Sequence, residues 1–442
     1  MIMRDYFYEL VKSTFSLIRS SEKFTIWFFA EDMEYSRFNK TKIRQAGSVK
    51  QRYLTLSLIE GQKHSEVTLG LSGKIDKDKE LIALSLKKVR DKILHSVDDP
   101  YLLINEAVQN SENISLNTLP DRAEIIDSLF EEANGLDLVG IYVGGPIYKG
   151  FANSFGQLNW FHKSSFVIDS SIYYERDQAI KQCYADTHFD RNVLNKKINE
   201  ARLGLELFLK KAVTISPGEY RVYLSPSALH EIFSLLNWGG FSKKYLETKN
   251  SPLRPLYDQK KELAKKFSLT ESISSGTGPN FQEQGFLKPE TLPIIEQGKL
   301  INTLISPKTG KEYGISHNAA QNEESMTSLA MRAGELDMGE VLTHLKDGLY
   351  INNLWYLNYS DRQNGCITGL TRFFCFVVKN GVPTAPFKVM RFDDSFYNLF
   401  GKNLLAITKE RELIIESHTY DERSTASFLL PGVIVENMRF TL

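Results

Sequence analysis

The spacing of apolar residues changes near residue 213, and this change divides the chain into a half with long helices and a half made mostly of strands. In the first half, four segments repeat apolar side chains every three to four residues, which predicts amphipathic helices. They are 3–21, 76–96, 121–135 and 189–213. Beyond residue 213 the apolar runs are short, aromatic or β-branched, and separated by turn signals such as Asn380-Gly381.

Strands are predicted between the helices of the first half. Alternating polar and apolar residues indicate strands at Ser36–Ala46, Gln51–Gly61 and Ser65–Ser72, with turns at Gly47-Ser48 and Gly61-Gln62. Gly144-Gly145-Pro146 lacks the spacing of a phosphate-binding loop, so we expect a tight turn there.

These elements predict an α+β fold, with an N-terminal α/β domain of long helices and antiparallel strands before a β-rich C-terminal domain. We expect an α+β subdomain at 1–108 and an α/β subdomain at 121–213, which together form the N-terminal half. The β-rich domain then occupies 214–442. Asn110–Pro120 is rich in Asn and Ser and predicts a linker or a long surface loop, whereas the charged segment Lys243–Ser275 favours disorder.

Composition narrows the classes of partner. The 442 residues carry 54 basic and 54 acidic side chains, so no overall field favours nucleic acid, and we expect no nucleic-acid partner. No apolar stretch approaches the roughly 20 residues that span a bilayer, so we expect no membrane partner. The three cysteines, Cys183, Cys366 and Cys375, lack Cys-x-x-Cys spacing and predict a reducing, cytoplasmic location.

The stretch from Gly218 to Gly240 is the part of the sequence that most resembles an enzyme active site. A short aromatic strand leads to Ser225, a good helix N-cap, and Pro226 follows at a position where a first-turn proline is tolerated. Gly239-Gly240 ends the helix. The buried face of this helix is predicted to consist of Leu229, Ile232, Phe233 and Leu236.

His230 and Glu231 on this helix form the first half of a zinc-protease signature, in which the histidine binds the metal and the glutamate is the general base. The second half is missing, because Ser234 and Leu235 stand at the two positions where another histidine could follow. Catalytic zinc normally needs three protein ligands and an open position. From the residues alone, a hydrogen-bonded pair beside a core stripe is therefore favoured over metal binding.

Other candidate chemistry is weaker. No Gly-x-Ser-x-Gly elbow supports a serine hydrolase. Asp393-Asp394 and Asp361-Arg362 could form an acid pair and an ion pair, although surface turns between strands are the favoured interpretation. The aromatic stretch Trp355–Tyr359 fits a binding platform or alternation in a buried strand equally well.

Several long motifs resemble the TldD/PmbA family of metallopeptidases, and the similarity is greatest to its PmbA (TldE)-like branch. The resemblance covers nearly the whole chain and implies a C-terminal domain of TldD/PmbA type. The motifs are Tyr35–Asn39, Gly140–Trp160, Pro217–Gly240, Gly348–Tyr359, Val389–Asp394 and Leu430–Gly432.

In that family a TldD-type zinc protease pairs with a TldE-type subunit, and together they degrade or trim unfolded peptides, including microcin precursors. The active subunit carries a His-Glu-x-x-x-His helix and a third ligand, a cysteine near the C-terminus. His230 matches the first histidine and Glu231 the general base, but Leu235 occupies the place of the second histidine. No cysteine follows Cys375, and only Ser417 or His418 lies in about the right region.

The resemblance therefore implies a non-catalytic TldE-like subunit with no cofactor, in which His230 and Glu231 are vestigial. Its implied partner is a TldD-type subunit or a second copy of the chain, and its implied substrate is an unfolded peptide. One alternative is an active zinc protease that uses His230, Glu231 and His418. Another is a stand-alone peptide-binding or modulator protein.

Overall fold

The computed structural model describes residues 2–115, 117–175, 177–417 and 419–441. Over these residues the chain forms two β-sheets with helices packed on their faces, which confirms the predicted α+β class. The sheets are formed by strands on either side of residue 213, while the domain boundaries at 108, 121 and 214 stay predictions.

The helices fall in both halves of the chain. They are α1 (Met3–Phe15), α2 (Ile75–Ile93), α3 (Arg122–Glu132), α4 (Arg191–Phe208), α5 (Pro226–Asn237), α6 (Lys243–Glu247), α7 (Arg254–Tyr257), α8 (Pro307–Tyr313), α9 (Val341–Leu345) and α10 (Phe396–Phe400). Within the described residues, none of them combines the length and the apolar character that crossing a membrane requires.

The strands belong to two sheets, and the longest strands lie in the first. The first sheet contains β1 (Lys23–Phe38), β2 (Ile43–Glu60), β3 (Lys63–Gly70), β4 (Ser111–Ile114), β5 (Asp137–Asn153), β6 (Leu158–Glu175) and β7 (Gln178–Asp186). Those of the second sheet are β8 (Gly218–Leu224), β9 (Leu269–Ser272), β10 (Thr291–Glu296), β11 (Lys299–Leu300), β12 (Ser328–Met331), β13 (Gly348–Asp361), β14 (Cys366–Lys379), β15 (Val382–Pro386), β16 (Arg391–Ser395), β17 (Leu404–Ile415) and β18 (Ser427–Phe440).

The first sheet has the order β3-β2-β1-β5-β6-β4, with β7 also paired to β6. Alternate residues of β1 and β2, such as Phe28 and Leu56, point to one face and pack with Phe7 of α1 and Ile82 of α2. The opposite face carries polar and aromatic side chains, among them Trp27. One side of this sheet is therefore a conventional core and the other faces the C-terminal half.

The second sheet contains a closed ring of strands. Its order is β11-β10-β9-β12-β18-β16-β14-β13-β8, and β8 also pairs with β18, so that β18, β16, β14, β13 and β8 close on one another. The helix α5 follows β8 directly and packs against β13 and β18. The largest hydrophobic cluster includes Val222, Phe233, Ile351 and Val433, so the ring and α5 share one core.

Two turn predictions in the first sheet are wrong. The strand predicted at Ser36–Ala46 spans the actual turn, because β1 runs to Phe38 and β2 begins at Ile43, and Gly47-Ser48 lies inside β2. Gly144-Gly145-Pro146 lies inside β5 and pairs continuously with β6. Gly145 has φ +132°, and a Cβ built on it would lie 2.2 Å from the carbonyl oxygen of Asp32. The glycine thus permits close approach of β1 to β5, not chain reversal.

The segment Lys243–Ser275 is ordered, contrary to the prediction of disorder. It contains α6, α7 and β9, and the side chains of Ser251, Leu253 and Phe267 are buried. Most of the charged side chains lie at exposed positions between these buried residues. The high charge content of the segment therefore led to a wrong prediction of disorder. The linker prediction for Asn110–Pro120 is also incomplete, since β4 pairs with β6 there.

We expect Gly145→Ala to destabilise the protein more than Gly135→Ala. Both glycines have positive φ, but a Cβ at Gly135 would meet nothing within 4 Å. The left-handed backbone alone costs an alanine about 1–2 kcal/mol, and the clash with Asp32 adds about 1–3 kcal/mol at position 145. Urea denaturation of both variants measures the difference, and equal losses of stability would contradict the close approach.

Candidate degenerate metal site

The local sequence fixes where α5 begins. The Ser225 hydroxyl accepts a hydrogen bond from the backbone N–H of Ala228 at 3.2 Å, and Pro226 occupies the first helical turn. The same hydroxyl donates to the backbone carbonyl of Asn352 on β13. The predicted N-cap is confirmed, and it also ties the start of the helix to the neighbouring strand.

The predicted buried stripe of α5 is confirmed as well. Leu229, Ile232, Phe233 and Leu236 are all buried in the large core cluster. This orientation leaves His230, Glu231 and Ser234 on the partly buried flank of the helix, toward β17 and the first sheet. Leu235, at the position of the missing second histidine, packs against the same core as the stripe.

His230 is held by neighbours that do not coordinate metal. Its Nε2 lies 3.2 Å from the Ser234 hydroxyl, one helical turn later. Its ring packs edge-on against Phe428, with centroids 4.7 Å apart and an interplanar angle of 86°. Burial lowers the pKa of His230, although the charge of Glu416 partly opposes this effect, so the imidazole is neutral at neutral pH.

Glu231 lies among charges from both halves of the chain. Burial raises the pKa of Glu231, while Lys181 lowers it and Glu416 raises it further. Lys181 on β7 forms an ion pair of 2.7 Å with Asp169 on β6. The hydroxyl of Ser417 donates to the other oxygen of Asp169 at 2.8 Å, so the end of β17 lies beside these residues.

Lys181 and Asp169 could not be found from the sequence. They lie far from α5 along the chain and belong to no motif, and only the contact between the two sheets brings them near Glu231. The backbone carbonyl of Lys181 accepts a hydrogen bond of 3.0 Å from the Asn352 side chain, which secures this contact. The proximity of Lys181 and Asp169 to Glu231 is visible only in the tertiary structure.

The connection after β17 is anchored by Arg423. Its guanidinium donates to the carbonyl of Gly145 at 3.0 Å and to the carbonyl and hydroxyl of Ser165 at 2.8 and 2.9 Å. Arg423 is only 4% exposed, and burial lowers its pKa. The point where Gly145 lets β1 approach β5 closely therefore also receives a side chain from the C-terminal half.

The metal donors predicted from the sequence do not assemble into a zinc site in the described part of the chain. His230 lies on α5, whereas Cys375 is buried on β14, where its Sγ donates to the carbonyl of Arg372 at 3.3 Å. His418 lies outside the described residues. Among the described residues, no three His, Cys, Asp or Glu side chains are grouped so that they could hold a metal ion. These donors do not fit the three-ligand requirement of catalytic zinc.

The other sequence candidates have structural roles. Asp394 is buried on β16 and accepts hydrogen bonds from the backbone of Ser395 and Arg439, so the surface-turn prediction for Asp393-Asp394 is wrong. Asp361 is the last residue of β13 and Arg362 lies in the turn to β14, so the surface-turn interpretation holds for Arg362. Arg362 stacks on Trp238, with its guanidinium carbon 5.1 Å from the ring centroid.

The aromatic stretch on β13 is exposed only in its first part, because Leu357 and Tyr359 pack against the main core. Trp355 is 47% and Tyr356 77% exposed. The guanidinium of Arg372 lies 4.7 Å from the Trp355 ring centroid and 5.1 Å from that of Phe373. Tyr356 and Phe373 both have positive φ, and both lie where the register between β13 and β14 shifts.

The described residues define an α+β protein with a capped His-Glu helix, and among them the metal donors are too few to hold an ion. Residues 217–442 match the PmbA/TldA metallopeptidase C-terminal domain family. No curated protein matches the sequence. The chain therefore belongs to the PmbA/TldD family, which confirms the resemblance seen in the sequence.

Solved structures show the same fold at low sequence identity. A proposed modulator of DNA gyrase from Bacteroides thetaiotaomicron superposes with a TM-score of 0.77 at 14% identity and covers 100% of each chain. A proposed modulator of a DNA gyrase from Thermotoga maritima gives 0.75 at 15% identity, covering 98% of this chain and 100% of that one. TldE from Thermococcus kodakarensis gives 0.75 at 12% identity, covering 99% and 100%.

We expect His230 to make the protein less stable in acid. Because burial lowers its pKa in the folded state, the unfolded chain binds the proton more readily, and stability falls as the pH drops below the unfolded value of about 6.5. His230→Gln keeps a polar side chain but removes this titration. Urea denaturation at pH 7.5 and 5.5 measures the effect.

The wild type should lose more stability between these two pH values than His230→Gln does. Glu231, whose pKa is raised, contributes with the opposite sign in both proteins, so the difference between them isolates the histidine. An identical pH dependence in the two proteins would show that the imidazole is not desolvated.

Proposed function

We propose that this protein is a non-catalytic, TldE-like subunit that assists a TldD-type zinc protease in cleaving or maturing unfolded peptides in the cytoplasm. The observation that carries the proposal is the degenerate helix α5. Leu235 supplies an aliphatic side chain where a second imidazole is required, and the Nε2 atom of His230 is within hydrogen-bond distance of Ser234. A single imidazole does not retain catalytic zinc at trace concentrations.

Without a metal-bound water, Glu231 has no nucleophile to activate, since the general base of such a site acts on that water. Its surroundings favour a structural role instead. The raised pKa of Glu231 results mainly from burial, and the charges of Lys181 and Glu416 act on it in opposite directions. We therefore assign His230 and Glu231 to the packing between the helix and the first sheet.

A non-catalytic subunit can contribute by holding substrate. An unfolded peptide can add to an exposed sheet edge through main-chain hydrogen bonds, a recognition mode that is tolerant of sequence. β3 ends the first sheet and pairs only with β2 among the described strands, so it offers such an edge. The partner we propose is a TldD-type subunit, with a second copy of this chain as the alternative.

Two alternative functions, an active zinc protease and a stand-alone binding protein, have different requirements. An active zinc protease would need His230, Glu231 and an additional ligand such as His418. A stand-alone peptide-binding or modulator protein would need no partner, and co-purification of a TldD-type subunit from the native cell would count against it. The incomplete donor set in the described residues favours the non-catalytic subunit over the active protease.

We expect the purified protein to contain far less than one zinc per chain, and His230→Ala to leave that content unchanged. The physical reason is that one imidazole cannot compete for the metal without further ligands. Elemental analysis after purification without added metal is the measurement. About one zinc per chain that disappears in His230→Ala would support the active protease and refute the non-catalytic subunit.

We also expect the chain alone to cleave no unfolded peptide, and a mixture with a TldD-type subunit to cleave it in a chelator-sensitive way. Glu231→Gln in this chain should change the rate of the mixture by less than about twofold, because the residue activates no water. The matched control is the same substitution in the His-Glu helix of the TldD-type subunit, which should abolish cleavage. Loss of cleavage on Glu231→Gln in this chain would contradict the proposal.

A further inference from the structure

The outer face of the second sheet carries aromatic and basic side chains where β13, β14 and β16 lie side by side. Trp355 on β13 pairs directly with Leu370 on β14, and Leu370 pairs with Arg391 on β16. Directly opposite residues of neighbouring strands place their side chains on the same face of a sheet. These three side chains therefore form one row across strands that are about 4.8 Å apart.

Burial along the strands shows that this row points away from the core. Leu354 and Thr371 pair with each other one position along, and both are buried. Successive side chains of a strand point to opposite faces, so Trp355 and Leu370 lie on the other side of the sheet. Trp355 is accordingly exposed and Leu370 only half-buried. The row that contains them faces solvent.

A continuous series of contacts between flat side chains extends from Trp355 along this face. The rings of Tyr356 and Trp355 have centroids 5.4 Å apart. The guanidinium of Arg372 lies 4.7 Å from the Trp355 centroid and 5.1 Å from the Phe373 centroid. We call the surface that these residues form the Trp355 face. It consists of Trp355, Tyr356, Leu370, Arg372, Phe373 and Arg391.

The Trp355 face is positively charged. The guanidinium of Arg372 contacts aromatic rings but forms no ion pair within the described part of the chain. Arg391 donates from Nε to the Thr368 hydroxyl at 3.2 Å and also forms no ion pair with any described residue. Asp393, two residues further along β16, pairs with Arg439 at 3.6 Å. Both guanidinium charges of the face therefore remain available to a carboxylate of another molecule.

The backbone holds two of the rings in an unfavourable conformation. Tyr356 has φ 60° and Phe373 has φ 59°, a region that disfavours every side chain with a Cβ. Glycine would occupy these positions without that cost. Strained residues persist where the surrounding structure fixes them, and they are concentrated at functional sites. The presence of large aromatic side chains here indicates that the rings have a role other than stabilising the fold.

We propose that the Trp355 face binds a folded partner protein whose surface carries carboxylates around an apolar centre. Trp, Tyr and Arg are the residues that contribute most to binding at protein–protein interfaces, where an apolar centre is surrounded by a polar rim. The guanidinium groups of Arg372 and Arg391 favour carboxylates through charge complementarity. A second copy of this chain would present the same positive face, so like charges disfavour a two-fold dimer formed through it.

The identity of the partner rests on the proposed function, which makes it the TldD-type subunit. The location and the chemistry of the interface rest on the Trp355 face alone. β13 packs against α5, and its residue Asn352 accepts the hydrogen bond from Ser225 at the start of that helix. The partner would therefore bind to the strand that supports the degenerate helix.

The test is surface plasmon resonance of the full chain with the TldD-type subunit of the same organism, at about 50 and about 300 mM salt. Trp355→Ala should weaken binding at least about tenfold at both salt concentrations, because it removes the central aromatic side chain. Arg372→Gln and Arg391→Gln should each weaken binding at least about threefold at the lower salt concentration and less at the higher one, because their effect is electrostatic.

Arg44→Gln and Phe15→Ala are the matched controls. Arg44 is exposed on β2 and Phe15 is exposed on α1, so each variant removes the same kind of side chain from the first sheet or a helix that packs on it. Both should bind within about twofold of the wild type.

Tyr356→Gly separates binding from folding. Glycine adopts the positive φ of this position freely, so the variant should melt at the same temperature as the wild type or higher. It should nevertheless bind the partner at least about threefold more weakly, since an exposed aromatic side chain of the interface is lost.

Unchanged affinity in Trp355→Ala would overturn the inference and leave the proposed function intact. Equal losses in Arg44→Gln and Arg391→Gln would also overturn it, because net charge and not this face would then govern binding. Self-association of the chain that Trp355→Ala abolishes, measured by sedimentation velocity, would assign the face to a second copy and refute the inference.

Equal affinity for the unfolded peptide Glu-Leu-Glu-Leu-Glu would refute a folded partner, because a surface that needs a folded apolar centre should bind this peptide far more weakly. If the wild type does not bind the TldD-type subunit at either salt concentration, the inference and the proposed function both fail. The two failures are thus distinguished by whether the wild type binds while the Trp355 variant binds equally well.

Discussion

A short series of hydrogen bonds joins the two sheets at the point where α5 begins, and the site depends on it. The Ser225 hydroxyl caps the helix and donates to the backbone of Asn352, and the Asn352 side chain donates to the backbone of Lys181. Each bond contributes modestly on its own. Together they hold the start of α5, the strand β13 of the second sheet and the strand β7 of the first sheet in fixed relative positions. The positions of His230 and Glu231 follow from that arrangement.

The packing of α5 does not depend on metal donors. The stripe that includes Leu229 and Phe233 is part of the main core, so replacing the helix would leave a large cavity. Leu235 packs against the same core, which makes it a stabilising residue at a position where an imidazole would be partly desolvated.

The sequence predicted those features that depend on neighbours along the chain. Ser225, Pro226 and the periodic apolar residues of α5 were sufficient to place that helix, because capping and periodicity act within a few residues. Gly144-Gly145-Pro146 was interpreted as a turn, since a glycine needed for close approach of another strand has the same local pattern as one needed for chain reversal. The ordered segment Lys243–Ser275 was missed because a few buried residues, among them Phe267, outweigh its charges.

The surroundings of the site were beyond prediction for a related reason. Asp169, Lys181 and Arg423 lie near it only because distant parts of the chain pair and pack, and none of them belongs to a recognisable motif.

Arg423 also restricts how the connection between β17 and β18 can move. The β17–β18 connection cannot swing away from α5 as a hinged flap without withdrawing a guanidinium from three acceptors between strands.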